Sequence, residues 1–499
     1  MSKSEIYNWS NPPSHILAKV YHYSHDKFKP NLRLVNKHWS TSVKSEFFYS
    51  LEGVEDKHIM NIVKKYGNFV RELDSYRYEN GHFEEYIQLI PLLQKFYLDL
   101  GSRPVSLLTQ LNSINKSIHS IELCCNSFDD LLLKDHEWDT VFQLVSTIQD
   151  IEILDFYIAN TSIPSPNILP NLPVDKFKLW SSSDATLNFM NLYKNIKHIN
   201  SLDWTVRYPE TQNTFIKRSA IPAPNQLLRS SLKHLRLWIY DYSDDKGPIE
   251  PHLASELLNT FKNPFFSNLR SLEWHFWWSP NQSTSKIFHE PIPTHNIKWA
   301  NLTKISLFII DEYLMTYIVQ HCVNLEEMNF NSPLVLPNHD NPMSLSPLIY
   351  LKKMLFGSLD LALIDNYSLI NHLFPNVVTL NLYYIEKTYE VTRDCYHIPF
   401  LFPKVNFIIF EVIEYEFDRL INEYEGVLNW EELYLTIDSG NVDFINPFIE
   451  RLPKLKLLYI QYHLESDDDL NISRKDIKVF RVGDPSPLTY NFYIYDQIN

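Results

Sequence analysis

A short apolar signature, φ-x-x-φ-x-φ with φ apolar, recurs along this chain at near-regular intervals. That recurrence constrains the fold more than any other feature. It begins near residues 70, 93, 118, 151, 174, 199, 232, 269, 302, 325, 351, 377, 405, 430, 455 and 477, with a mean spacing near 27. Clear copies are LKHLRL from Leu232, LRSLEW from Leu269, LTKISL from Leu302, VVTLNL from Val377, WEELYL from Trp430 and LKLLYI from Leu455. Their alternating ends have the period of a strand with one face buried. In DEYLMTYIVQHCVNLEEMNF, from Asp311 to Phe330, the signature is preceded by Leu314, Tyr317, Ile318, His321 and Cys322. Those residues fall at the three- and four-residue steps of one helix face. A helix beside one short strand cannot bury both apolar faces alone, so each unit needs copies of itself as neighbours.

The repeat resembles the leucine-rich-repeat family in its long-helix, cysteine-containing variety. Gln320-His321-Cys322-Val323-Asn324-Leu325 is similar to that variety's helix end, and Leu373-Phe374-Pro375-Asn376-Val377 and Leu452-Pro453-Lys454-Leu455 end helices in the same style. The family's Asn or Cys after the strand survives mainly as Asn126. The resemblance implies an α/β leucine-rich-repeat solenoid, a horseshoe with parallel strands on its concave side and helices on its convex side, covering residues 55–499.

Residues 1–54 read differently. Asn11 before Pro12 and Pro13 is a helix start, with Ile16, Leu17 and Val20 as its apolar stripe. Leu32, Val35 and Trp39 form a second stripe, and Val43 and Phe47 continue a third. So small a three-helix unit needs a neighbour to pack against. PPSHILAKVYHY and LRLVNKHWS (Leu32 to Ser40) resemble the two signature segments of the F-box, with Pro12 where the family has Leu and His15 where it has Glu. The resemblance implies docking to the adaptor subunit of a cullin-RING ubiquitin ligase through Pro13, Ile16, Leu17, Val20, Leu32, Leu34, Val35 and Trp39. The implied partners are that adaptor, its cullin and a target protein. The residue-level alternative is a helical cap on the array with no ligase attachment, leaving a scaffold or regulatory module.

Composition narrows the function classes. The formal net charge is −15, which repels nucleic acid and anionic membrane surfaces. The four cysteines include the adjacent pair Cys124-Cys125 and no CxxC spacing, which argues against a disulfide framework or structural zinc. The amino terminus has no apolar signal core, and the expected location is cytoplasmic, nuclear or both. Only nine glycines occur, none closer than fourteen residues to the next, which excludes glycine-rich phosphate loops and nucleophile elbows. No His-x-x-x-His pair exists, and Asp467-Asp468-Asp469 lacks the alternation of a calcium loop. No cofactor or catalytic activity is expected.

What remains is surface. The period stretches in the intervals of 33, 33, 37 and 33 residues that begin at Ile118, Ile199, Leu232 and Leu269, and long Pro-, Asn- and Ser-rich loops between about 205 and 347 follow Trp204, Ile239, Phe276 and Asn331. Each lies beyond a strand's carboxyl end, which places them on one rim. The solvent-facing strand positions beside them are the expected target-binding set: Tyr157, Lys178, Trp180, Arg236, Trp238, Glu273, His275 and Phe308. Aromatic and Arg side chains are the usual anchors of protein interfaces. Tyr434 and Tyr459, in the smoother carboxyl-terminal repeats, are the fallback surface.

Overall fold

The computed structural model describes residues 17, 38–39, 48–51, 56–74, 83–99, 118–124, 150–154, 176–182, 200–208, 232–241, 268–277, 299–307, 310, 312–330, 333–357, 359–360, 365–382, 391–392, 395–410, 417–437, 444–462 and 472–482. The chain divides into two compact units, Met1–Leu232 and Lys233–Asn499.

The first unit carries helices α1 (Asp56–Tyr66) and α2 (Phe83–Gln88). Its strands are β1 (Glu72–Asp74), β2 (Lys95–Asp99), β3 (Ser120–Cys124), β4 (Asp150–Leu154), β5 (Lys176–Ser182) and β6 (Ser201–Tyr208). Each pairs in parallel with the next, and one apolar side chain per rung stays in line: Leu73 beside Phe96, Phe96 beside Ile121, Ile121 beside Ile151. Leu73, Phe96 and Ile121 are at most 2% exposed. Burying one such column and repeating it is how strands too short to be stable alone share a core. Gly67, buried ahead of β1, is required by close approach, because a Cβ there would lie 1.9 Å from the Leu89 carbonyl oxygen.

A further rung lies within the residues assigned above to the helical unit. The Tyr49 carbonyl accepts the amides of Arg71 and Glu72 at 2.8 and 3.0 Å, Ser50 bridges Glu72 in parallel, and Phe48 and Leu51 are buried. The same double acceptance joins later repeats. The Thr303 carbonyl takes Glu326 and Glu327 at 2.7 and 3.0 Å, and that of Glu326 takes Lys352 and Lys353 at 2.9 and 3.1 Å. The array is therefore under way by Phe48-Tyr49-Ser50-Leu51, a shortened copy of the signature.

In the second unit the strands are β7 (His234–Asp241), β8 (Ser271–Trp277), β9 (Lys304–Leu307), β10 (Glu327–Phe330), β11 (Lys353–Phe356), β13 (Thr379–Leu382), β15 (Phe407–Phe410), β16 (Glu432–Ile437), β17 (Leu457–Tyr462) and β18 (Lys478–Val482). All pair in parallel in that order. A separate antiparallel pair, β12 (Leu359–Asp360) with β14 (Val391–Thr392), was not legible in the repeat pattern. Parallel strands, one per repeat and joined through apolar crossovers, make this a leucine-rich-repeat-type α/β fold.

The crossovers are shorter than the long-helix variety implies. Among the described residues of this unit the longest helix is α3 (Glu312–His321), followed by α4 (Tyr367–Leu373), α5 (Ile398–Leu401), α6 (Asp418–Asn422) and α7 (Ile445–Glu450). Proline sets some of the limits. Pro399 sits in the first turn of α5 and Pro403 follows its end, where the missing N–H and fixed φ stop propagation. After α3, Cys322 is buried and donates its amide to Ile318 at 2.9 Å, as the sequence suggested. Burial pushes its thiol pKa up, so it stays protonated and packs as a small apolar group.

A ladder of asparagine and lysine hydrogen bonds runs along the strand entry. Asn324 Nδ2 donates to the Ala300 carbonyl at 2.6 Å, Asn376 Nδ2 to Ile349 at 2.8 Å, and Lys404 and Lys454 donate to the Oδ1 atoms of Asn376 and Asn429 at 2.9 and 2.6 Å. The recurring dipeptides Asn301-Leu302, Asn324-Leu325, Asn376-Val377 and Asn429-Trp430 were the readable sign of it.

Two registers differ from the sequence expectation. Ile151 pairs with Ile121 and Phe177, so it is the second apolar position of its repeat, which opens at residue 148 rather than 151. Both frames satisfy the signature, as Ile148-x-x-Ile151-x-Ile153 or as Ile151-x-x-Leu154-x-Phe156, so only strand pairing chooses between them. At β18, Leu458 pairs with Val479, which puts Asp476 where other repeats open on an apolar residue. Arg474 secures this end. It donates to the carbonyls of Ile449 (3.1 Å), Leu452 (2.5 Å) and Leu455 (3.4 Å) and to both carboxylate oxygens of Asp476.

Arg474→Met is expected to cost about 1.5–3 kcal/mol at neutral pH, the usual worth of hydrogen bonds made by a charged group. Arg474 holds the Asp476 carboxyl below its ordinary range. Its contribution is therefore present above the unfolded carboxyl pKa and fades as pH falls through the lower folded value. Denaturant titrations at neutral pH and at about pH 3 check this; a variant gap that does not narrow in acid would remove Asp476 from the account.

Candidate functional site

Alternation gives each strand two faces. The even face, which carries the fourth and sixth signature positions, is buried at Leu235, Leu272, Ile305, Met328, Met354, Leu380, Ile408, Leu433 and Leu458, and half-buried at Val479 of β18. The odd face changes character along it. On β7 to β10 it is mostly half-open: Arg236 and Glu273 side chains are 24% and 26% exposed, and those of Lys304 and Glu327 are 38% and 27%. From β11 onward it closes in part: Leu355, Asn381, Ile409, Tyr434, Thr436 and Gln461 are buried, whereas Lys353, Phe407, Leu457 and Tyr459 are half-buried and Lys478 is exposed.

The open stretch carries a chain of charges across four strands. Arg236 Nε lies 3.3 Å from Glu273 Oε2; Lys304 Nζ lies 3.7 Å from Glu273 Oε1 and 3.2 Å from Glu327 Oε1; Asn329 Nδ2 donates to Glu327 Oε1 at 2.8 Å. Half-exposed pairs of this kind contribute little to stability, because water solvates the separated charges almost as well. Their effect is to hold charged groups in a fixed pattern. Sequence inspection singled out Arg236 and Glu273 but missed Lys304, Glu327 and Asn329, whose signal was their odd position in LTKISL and LEEMNF.

The other expected target residues separate. Trp238 and His275 are register partners on β7 and β8, two residues beyond Arg236 and Glu273. Lys178 and Trp180 lie on β5 of the first unit, in the rows of Glu152 and Asp203 and of Leu154 and Thr205. Tyr157 and Phe308 lie outside the described residues. Of the fallback pair, Tyr434 is corrected, since it is 3% exposed and donates its hydroxyl to Gln461 Oε1; Tyr459, on which it stacks, is half-buried and stacks on Phe480 at 5.0 Å.

Of the expected adaptor-docking residues, Leu17 is helical and fully buried, and Trp39 is helical and half-buried. Leu17 is therefore packed within the chain itself and is not presented to a partner. Pro13, Ile16, Val20, Leu32, Leu34 and Val35 lie outside the described residues.

Among the described residues no cluster of three or more His, Cys, Asp or Glu is placed to hold a metal ion, and no helix is long and apolar enough to cross a membrane.

No family model matches the sequence, and no curated protein matches it. Similar solved structures include the Rad7 and Elc1 complex in yeast, at 12% identity and a TM-score of 0.37 over 93% of this chain and 92% of that one. Another is the leucine-rich repeat-containing protein LegL7 from Legionella pneumophila, at 15% identity and a TM-score of 0.31 over 64% of this chain and 94% of that one. Likeness at this level carries nothing about function.

Proposed function

We propose that this chain is a non-catalytic substrate-recognition subunit of an SCF-type cullin-RING ubiquitin ligase. Its amino-terminal F-box-like helices dock the adaptor, and the open odd face of β7 to β10 contributes to holding a target protein. The observation that carries this is the pairing of LRLVNKHWS, with its basic Lys37 ahead of Trp39, with a leucine-rich-repeat array in one chain. No chemistry at the receptor is needed: tethering raises the target's effective concentration near the ubiquitin-loaded enzyme.

The test is direct binding of the purified full chain to the adaptor, alone and with cullin. Saturable binding that is lost in Val20→Asp supports the reading. Leu17 is unsuitable for this purpose, because a charge at a fully buried site would unfold the helices. Absence of binding by the wild-type chain would leave the scaffold reading, in which the same helices only cap the array.

A further inference from the structure

We infer that the strand-entry edge of β7 to β11 docks an acidic protein segment that also carries apolar side chains. The inference rests on the repeat surface being a recognition surface, not on the ligase attachment.

The residues just before these strands form one continuous row, each accepting the next one's amide at its carbonyl: Lys233, Arg270, Thr303, Glu326, Lys352. Among the described residues the side chains of Lys233, Arg270 and Lys352 carry no ion pair, and all three are exposed. The nearby carboxylates of Glu273 and Glu327 are already engaged by Arg236 and Lys304. Three cations are thus left facing water in a chain of net charge −15.

The excess is local. Among the described residues of the first unit the entry row runs Tyr49, Arg71, Gln94 and His119, with a single Lys or Arg. Beyond Lys352 the entry row of the second unit continues as Val378, Asn406, Glu431 and Lys456, and there Lys456 is paired with Glu431 at 2.5 Å.

A second feature shares the same edge. Val323, Ile349 and Tyr350, in the turns leading into β10 and β11, are 42%, 47% and 52% exposed. Water gains nothing from them, whereas apolar side chains of a partner would. From Lys233 to Lys352 is four strand steps, about 19 Å, which roughly six residues of an extended peptide would cross. A nucleic-acid backbone fits less well. Its unbroken phosphates would meet Glu326 within the row, and the charge of the whole chain opposes a polyanion that brings no apolar contacts.

The probe is a fluorescein-labelled peptide of repeating Glu-Asp-Leu, titrated against the full chain by anisotropy at low and high salt. A Gln-Asn-Leu peptide and a single-stranded oligonucleotide of equal charge are compared. The expected result is saturable, salt-sensitive binding of the acidic peptide alone. It should weaken at least about tenfold in the combined Lys233→Glu, Arg270→Glu, Lys352→Glu variant. A variant with the same change in net charge elsewhere (Lys64→Glu, Lys65→Glu, Lys475→Glu) should bind as the wild type does, and Lys352→Glu alone should show a smaller loss should the triple variant melt early. No binding, equal loss in both triple variants, or preferred binding of the oligonucleotide would each overturn the inference. Adaptor binding, measured on the same samples, reports separately on the ligase reading. Peptide binding without adaptor binding would keep this surface and remove that reading.

Discussion

Replacing Phe356 with alanine is expected to cost about 3–5 kcal/mol, the largest effect of a single truncation proposed for this chain. Phe356 ends β11 on the even face with no solvent exposure. Its ring stacks on Phe330 of β10 at 6.0 Å and meets Phe402, ahead of β15, at 6.0 Å. Truncation would remove the transfer free energy of the ring and leave a cavity against two aromatic neighbours that belong to different repeats. Repeat arrays are held largely by nearest-neighbour interfaces, so weakening one rung between two others should also loosen their coupling. Denaturant titration would show a lower midpoint, and a split or broadened transition if β11 becomes a break in cooperativity. A loss under about 1 kcal/mol would mean that the aromatic column does not hold these repeats together.

Leu380→Ala follows, at about 2–5 kcal/mol. Leu380 is the second position of β13, fully buried, and lies in register between Met354 and Ile408. Every residue of β13 is buried, including Asn381 on the odd face, so the strand has little freedom to collapse around a missing side chain. Leu380→Met, which conserves volume, should cost less than about 1.5 kcal/mol. Leu325→Ala, at the buried first position ahead of β10, should resemble Leu380→Ala. Equal costs for Leu380→Met and Leu380→Ala would show that side-chain shape matters more than burial at this position, and would argue against a simple stacked column.

Some of this was legible from local pattern alone. Leu325 and Leu380 occupy equivalent places in the signature, and both are fully buried. The helix face is buried at Leu314, Tyr317, Ile318 and Cys322 as its spacing implied, with His321 on the same face half-buried. Other features were hidden because the local pattern is degenerate. Ile148 and Ile151 each open an acceptable frame, and Phe48-Tyr49-Ser50-Leu51 is too short a match to stand out from a helical neighbourhood. The described helices of the second unit are shorter than the long-helix variety implies, because apolar spacing says which face is buried but not where a residue such as Pro403 ends the helix.

For the surface, the division follows from the same physics. Alternation assigns Glu273, Ser306, Asn381 and Tyr434 to the odd face equally, because Cβ direction depends only on parity along the strand. Whether that face meets water depends on what the rest of the chain lays over it, which no window of a few residues contains. Thus Glu273 is accessible while Tyr434 is enclosed. By itself, then, the sequence determined the mean spacing of the rungs and most of the side chains that form the column between them, since periodic burial is a local demand of the backbone. Only the tertiary structure decided the frame at β4, the carboxylates that Arg236 and Lys304 engage, and the cations left unpaired at the strand entry. Each of those depends on residues about one repeat apart, brought side by side by strand pairing.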